Sequence, residues 1–260
     1  MAAPSARPLA LVTGGWRRIG AAIARALAVE GWDLALHAHN AATFDRSFAG
    51  ELAQLGAAVY PLAADLADAV AVMRLPAEAM ALAGCAPTLL INCAALFRED
   101  TAATVTAAML DEHLAVNLTA PVLLTRALAD LAANQLSGDD AAVVHILDQR
   151  VLNPVPDQLS YTLSKQALHA AVRTLARSLA PRVRVNAVAP GLTLPTPDYS
   201  EEQWLRLTAL MPLERLACPD DITEAVVFLS KARAITGQTI FVDGGAHLES
   251  FARDFVYLET

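Results

Sequence analysis

The chain of 260 residues is short of three things, and each shortage narrows what it can be. It has three cysteines, Cys85, Cys93 and Cys218, set far apart, with no Cys-x-x-Cys pair and no Cys/His spacing of a metal site. Three thiols cannot all pair within one chain, so a disulfide framework is excluded and reduced thiols in a cytoplasmic protein are expected. No uninterrupted apolar run reaches about 18 residues, the length a bilayer crossing takes. Met1 to Pro8 lacks the apolar stretch of a secretion signal, so no membrane association is expected. Positive charge is also scarce: 19 Lys and Arg against 27 Asp and Glu leave a net charge of -8. Such a chain repels a phosphate backbone unless a local basic patch opposes it, and none is evident. The reading is therefore no nucleic acid and a small-molecule ligand.

What is present is apolar: 55% of residues are hydrophobic and 18% charged, the composition of a packed globule. Short apolar runs at Leu9 to Val12, Leu34 to His37, Ala57 to Leu62, Leu89 to Asn92, Ala142 to Leu147, Val183 to Val188 and Thr239 to Val242 read as strands. They alternate with stretches of helical period at Ala21 to Glu30, Met109 to Ala133, Thr162 to Leu179 and Asp220 to Ser230. This predicts an α/β, Rossmann-like, doubly wound parallel sheet of about seven strands with helices on both faces. The breaker-rich segments 134–140 and 193–200 are only loop length, so residues 1–260 are taken as a single domain. Right-handed crossovers would put strands one to three on one side and the rest on the other, with a ligand crevice at the strand C-termini.

The motifs fall at those termini. Thr13-Gly14-Gly15-Trp16-Arg17-Arg18-Ile19-Gly20 follows the first strand and opens a helix. Its glycines suit a turn with positive φ, or a close approach to a pyrophosphate held by free helix N-H groups. Strand two ends in His37-Ala38-His39-Asn40 with no acid to repel a ribose phosphate. Tyr161 and Lys165 lie four apart at a helix start, so both project from one face. A neighbouring ammonium would favour the phenolate and lower the phenol's ordinary pKa near 10. Asp148, thirteen residues before Tyr161, ends an apolar strand. An ionised aspartate accepts hydrogen bonds only, which suits a substrate presenting N-H groups, although it also fits a carboxylate capping a loop. His39, His145 and His169 show no paired metal spacing, and no metal is expected.

Taken in order, Thr13-Gly14 with Ile19-Gly20, Asp65-Leu66, Asn92-Cys93-Ala94, Asn117, Tyr161-xxx-Lys165 and Pro190-Gly191 resemble the short-chain dehydrogenase/reductase family from about Leu9 to Gly245. Arg18 in place of a middle glycine, Asp148 in place of a catalytic serine, and Phe97 are similar to its pteridine reductase branch. The resemblance implies an NAD(P)H-dependent oxidoreductase whose catalytic group is Asp148, Tyr161, Lys165 and Asn117. A cationic nicotinamide would join the ammonium in favouring the Tyr161 phenolate, Lys165 would also hold the nicotinamide ribose, and Asn117 would complete a proton relay to it through water. It implies cofactor contacts from Gly14, Arg17, Arg18, Ile19, Gly20, His39, Asn40, Asp65, Leu66, Asn92, Ala94, Lys165, Pro190 and Gly191, and substrate contacts from Arg18, Phe97, Asp148, Tyr161 and Leu192.

Arg17 and Arg18 favour NADP(H) through bidentate binding of the 2'-phosphate, with NAD(H) left open because the branch often has arginine where Asn40 stands. The substrate implied is a heteroaromatic pteridine such as a dihydropterin, stacked on Phe97, although Phe97 also suits a core position. A reductase of 3-oxoacyl thioesters or small ketones is the alternative, and a catalytically silent NAD(P) sensor the alternative of another class. Residues 193–215 read as a substrate loop with small helices. The apolar tail 247–260 reads as a docking segment against a second subunit of a homodimer or homotetramer.

Overall fold

In the computed structural model, which describes residues 7–135, 141–196 and 199–258, seven strands form one parallel sheet. They are β1 (Leu9–Thr13), β2 (Asp33–Ala38), β3 (Val59–Ala63), β4 (Pro87–Asn92), β5 (Ala141–Ile146), β6 (Val183–Pro190) and β7 (Thr239–Val242). Their order in the sheet is β3-β2-β1-β4-β5-β6-β7, and every neighbouring pair is parallel. The order reverses between β1 and β4, which opens the expected crevice at the C-terminal ends of those strands.

Each strand is an apolar run because both faces of the sheet are covered. On one face Ile23 and Leu27 of α1 (Arg18–Val29), Phe48 and Leu52 of α2 (Arg46–Gln54) and Ile222 and Val226 of α8 (Pro219–Lys231) pack against Val12, Leu34 and Leu36. On the other, Leu75 of α3 (Ala69–Ala83), Leu124 and Leu128 of α5 (Ala120–Gln135) and Ala176 of α6 (Leu159–Leu179) pack against Leu9, Leu11, Leu90 and Val143. Helix α4 (Ala107–Leu114) runs into α5 through a π-helical turn at Ala115–Thr119. The resulting helix is long and apolar enough to pass for a membrane span by length and composition, but Ala120, Leu124, Leu128 and Ala132 are buried against the sheet and α3.

Periodicity misses α2 and α3, whose caps are plainer than their apolar faces. Asp45 accepts from Ser47 and Phe48 N-H, Asp68 from Val70 and Ala71 N-H, and Gly84 ends α3 at φ 78°. The third strand begins at Val59 rather than Ala57, because Ala57 N-H closes the turn onto Leu52 and Ala58 N-H is taken by the Asp33 carboxylate.

Part of the apolar tail packs on its own chain, while Leu248 and Tyr257 stay exposed. Phe251, Phe255 and Leu258 join Leu192, Tyr199, Leu207 of α7 (Glu201–Leu210) and Met211 in one cluster. Gln203 donates to the Phe255 and Val256 carbonyls at 3.1 and 3.2 Å. Helix α7 thus rests on the tail. Of the expected loops, residues 136–140, with 197 and 198, lie outside the described residues, as do 1–6 and 259–260 of the termini.

Candidate active site

The nucleotide end is built by the join of β1 to β4. The Thr13 hydroxyl accepts from Cys93 N-H at 3.0 Å and Ala94 N-H at 3.1 Å, pinning the two strand ends side by side. Gly14 takes φ 65°, and a Cβ on Gly20 would lie 2.1 Å from the Gly14 carbonyl, so the first turn of α1 sits directly on the glycine turn. Nothing larger than glycine fits there. Arg18, where a glycine would be at ease, is held at φ 53°, a conformation costing an L-residue about 1 kcal/mol. Arg17 and Arg18 are both exposed beside this turn.

At the end of β2, His39 lies 3.7 Å from Asp65, and both are exposed. Asn40 spends its side-chain oxygen on Ala42 N-H, and Asp65 spends one of its own on Ala67 N-H. Leu66 is buried. Asn92 donates from Nδ2 to His145 Nδ1 at 3.1 Å, while its buried Oδ1 has no partner among the described residues. Pro190 ends β6, and Gly191 N-H donates to the Val242 carbonyl at 3.0 Å. A Cβ on Gly191 would meet Asp243 at 2.7 Å. A cradle of glycine backbone at a helix N-terminus, two exposed guanidiniums and an unspent buried acceptor fit a phosphorylated dinucleotide.

The chemical end is carried by α6. Asp100, in the loop after β4, accepts from Ser160 N-H at 3.1 and 3.2 Å and from the Ser160 hydroxyl, so a carboxylate anchors the helix one residue before Tyr161. One turn on, Lys165 donates to the Ile146 carbonyl at 2.7 Å, and its ammonium stands 5.8 Å from the centre of the Tyr161 ring. Burial pulls Lys165 down to about 8, against the opposing pull of Asp148 and Cys93. The Tyr161 hydroxyl donates to Asp148 Oδ2 at 3.0 Å.

The protein's own groups, taken without a nicotinamide, act on the phenol in the other direction. Burial first, and then the Asp148 carboxylate, push the phenol well above its ordinary value, with Arg150 pulling it down. In the free protein the phenol is therefore protonated, because a buried hydroxyl beside a carboxylate resists ionising. The capping reading of Asp148 holds, since its Oδ1 caps the turn Gln149–Val151 through Arg150 N-H at 2.9 Å.

Asn117 lies in the π-helical turn, where the extra residue turns it inward, and it is fully buried. Its amide is already committed: Oδ1 accepts from Leu96 N-H at 2.7 Å, and Nδ2 donates to the Leu96 carbonyl and the Ser164 hydroxyl, both at 2.9 Å. The side chain thus ties the Phe97 loop to α6. Phe97 is 51% exposed and meets the Tyr161 ring edge-on at 4.7 Å, so it is no core aromatic. Leu192 is partly buried in the cluster that α7 shares with the tail.

Arg150 and Asp254 are the site residues that sequence reasoning missed. Arg150 is 7% exposed and donates to Asp148 Oδ1 at 3.2 Å, Gln158 Oε1 at 3.0 Å and Asp254 Oδ2 at 2.6 Å. Burial works against its charge, but Asp148 and Asp254 outweigh it and hold the guanidinium protonated. Arginine two residues beyond Asp148 was the available signal for one of them. Asp254 arrives from more than 100 residues away and leaves none in the local pattern.

The comparisons with known proteins agree with this geometry. Residues 15–247 match the family model described as enoyl-(acyl carrier protein) reductase. The human dehydrogenase/reductase SDR family member 4 is 32% identical over 251 residues, covering 93% of this chain and 88% of that protein. The 3-oxoacyl-[acyl-carrier-protein] reductase FabG of Staphylococcus aureus is 30% identical over 246 residues, covering 92% and 98%. Among solved structures, FolM alternative dihydrofolate reductase 1 of Brucella canis, complexed with NADP, is 39% identical, with 97% of this chain and 99% of that one covered and a TM-score of 0.85.

Proposed function

This chain belongs to the short-chain dehydrogenase/reductase family and is an oxidoreductase, and from that premise we propose that it reduces a dihydropteridine with NADPH, Tyr161 giving the proton. The carrying observation is Asp148: an acceptor-only side chain receives the Tyr161 hydroxyl at 3.0 Å, where a ketone reductase needs a donor. One Oδ2 lone pair remains for a substrate N-H, which a reduced pterin offers and a thioester carbonyl does not. Phe97 presents a half-exposed aromatic face beside Tyr161, suited to a flat heterocycle. The NADP complex of the Brucella protein supports the cofactor.

When bound, the cofactor supplies a hydride. Tyr161 delivers a proton to the atom next to the one reduced, and Asp148 orients the ring through its N-H groups. Arg17 and Arg18 would grip the 2'-phosphate, and Asn92 Oδ1 would take a hydrogen bond from the nucleotide. Lys165 and Arg150 offset the phenolate left on Tyr161 until solvent returns a proton. Free, partly buried thiols agree with a cytoplasmic setting, and we place the protein as a homodimer or homotetramer, which sedimentation velocity tests.

Side-by-side kcat/KM values with NADPH and either 7,8-dihydropterin or an acetoacetyl thioester test the substrate. Preference for the pterin, abolished in Tyr161→Phe, is the expected result. Preference for the thioester, as the Staphylococcus aureus relative's name suggests, overturns it. NADPH binding with no turnover of either substrate, unchanged in Tyr161→Phe, identifies a sensor instead.

A further inference from the structure

The C-terminal tail reaches the catalytic residues of its own chain through a buried guanidinium. Arg150 bridges Asp148 and Asp254 with both carboxylates buried or nearly so, at side-chain exposures of 8% for Arg150, 19% for Asp148 and 6% for Asp254. Its carbon Cζ stands 5.5 Å from the Tyr161 ring centre and 5.8 Å from that of Phe97. The tail is fastened beside this contact by Asp157. Asp254 N-H donates to Asp157 at 2.8 Å, and Arg253 pairs with the same carboxylate at 2.8 Å. Gln158, which also accepts from Arg150, donates in turn to Glu99 at 2.9 Å.

We infer that Arg150 is a positioning residue: it fixes the orientation of Asp148 and offsets its charge beside Tyr161, and Asp254, brought in by the tail, holds Arg150 in place. A carboxylate aimed at a phenol by one hydrogen bond can rotate. With its other oxygen gripped by both the N-H and the Nε-H of Arg150, it cannot do so without breaking two bonds. Without the guanidinium, the phenol would face an uncompensated negative charge across 3.0 Å. The charged and titratable groups around it are Asp148, Lys165, Asp254, Asp157, Arg253 and Glu99; Arg253 pairs with Asp157, so Arg150 and Lys165 are the cations that oppose Asp148, Asp254 and Glu99. This placement rests on Tyr161 as the proton donor, and one of its two readouts needs no substrate.

That readout is the pH titration of the Tyr161 ring Cζ resonance in tyrosine-labelled protein, assigned by its loss in Tyr161→Phe. Arg150→Met is expected to move the midpoint upward by about one pH unit, while Arg150→Lys, which keeps the charge, moves it less. The second readout is turnover of NADPH with dihydrofolate as the probe. Arg150→Met should lower kcat about tenfold with the Kd for NADPH unchanged, and Arg150→Lys should recover only part, because the fork is lost. In an Asp148→Asn background, removing Arg150 should cost no more than about twofold, because the residue it acts through is gone.

Asp254→Asn, which leaves the catalytic residues intact, should lower kcat about threefold, again only when Asp148 is present; this variant decides the matter if Arg150→Met does not fold. A wild-type titration curve in folded Arg150→Met, or equal losses with and without Asp148, overturns the inference. Absence of dihydrofolate turnover combined with a shifted titration overturns the substrate reading and leaves the positioning role standing.

Discussion

The Tyr161 hydroxyl donates to Asp148 at 3.0 Å, so the proton that the chemistry needs is held on the phenol by a carboxylate rather than drawn off it by a lysine. Burial and this carboxylate both disfavour the phenolate, which keeps Tyr161 loaded as an acid in the reductive direction. Asp148→Asn removes the charge but keeps an acceptor. The phenol should then ionise at lower pH, and kcat/KM for 7,8-dihydropterin should fall about a hundredfold, since the variant amide also presents a donor to the substrate N-H. Steady-state kinetics with a fixed saturating NADPH concentration would check this; undiminished kcat/KM would remove Asp148 from the reaction.

Lys165 sets a second pH limit. Its ammonium is brought down to about 8 by burial, with Asp148 and Cys93 pulling the other way, and the positively charged form is the one that supports a phenolate. The proton is bound below that value and lost above it. Reductive kcat/KM, which reports the free enzyme, should be level near neutrality and fall as pH rises through about 8. Lys165→Arg stays charged throughout, so its profile, whatever its height, should lack that fall. A decline at the same pH in the arginine variant would assign the limb to another group.

His145 makes the fold sensitive to acid. It is fully buried in β5, takes the Asn92 amide on Nδ1, and has no partner for Nε2 among the described residues. Burial, assisted by Lys165, lowers it to about 3. A base depressed on folding binds its proton more readily in the unfolded chain, so its contribution is whole above about 6.5 and is lost as pH falls toward 3. Within that window unfolding free energy should drop by about 1.4 kcal/mol per pH unit on this account. Urea titrations between pH 6.5 and 4.5 should show a shallower drop for His145→Gln; parallel slopes would show that His145 is not the group responsible.

The glycine turn yields opposite outcomes at two neighbouring positions. Gly20→Ala places a Cβ against the Gly14 carbonyl, which is backbone and cannot step aside, so both folding stability and NADPH binding should be lost together. Arg18→Gly relieves a positive φ of 53° and should raise the unfolding free energy by about 1 kcal/mol. The same change should lower the ratio of kcat/KM for NADPH over NADH, because a guanidinium is gone. Thermal unfolding and the two cofactor titrations separate these effects. An unchanged ratio would leave the phosphate to Arg17.

How much was legible in the sequence depended on how local each cause is. The parallel sheet was readable because strands buried on both faces must be apolar along their whole length, as Leu89 to Ile91 and Val183 to Val188 are. The glycine turn and the Tyr161-Lys165 pair were readable because turn geometry and helical spacing act over a few residues. Helices α2 and α3 escaped a search for apolar period, although Asp45 and Asp68 marked their starts.

By itself, then, the sequence determined the layered α/β fold, the position of the crevice and the identity of the phenol and ammonium that face it. Tertiary structure alone decided the electrostatic state of that pair. The Tyr161 proton is governed by desolvation and by Asp148 and Arg150, and the tail sets Asp254 against Arg150 from more than 100 residues away. Charge interactions inside a protein depend on distance and burial, and a string of residues carries neither until the chain has closed on itself.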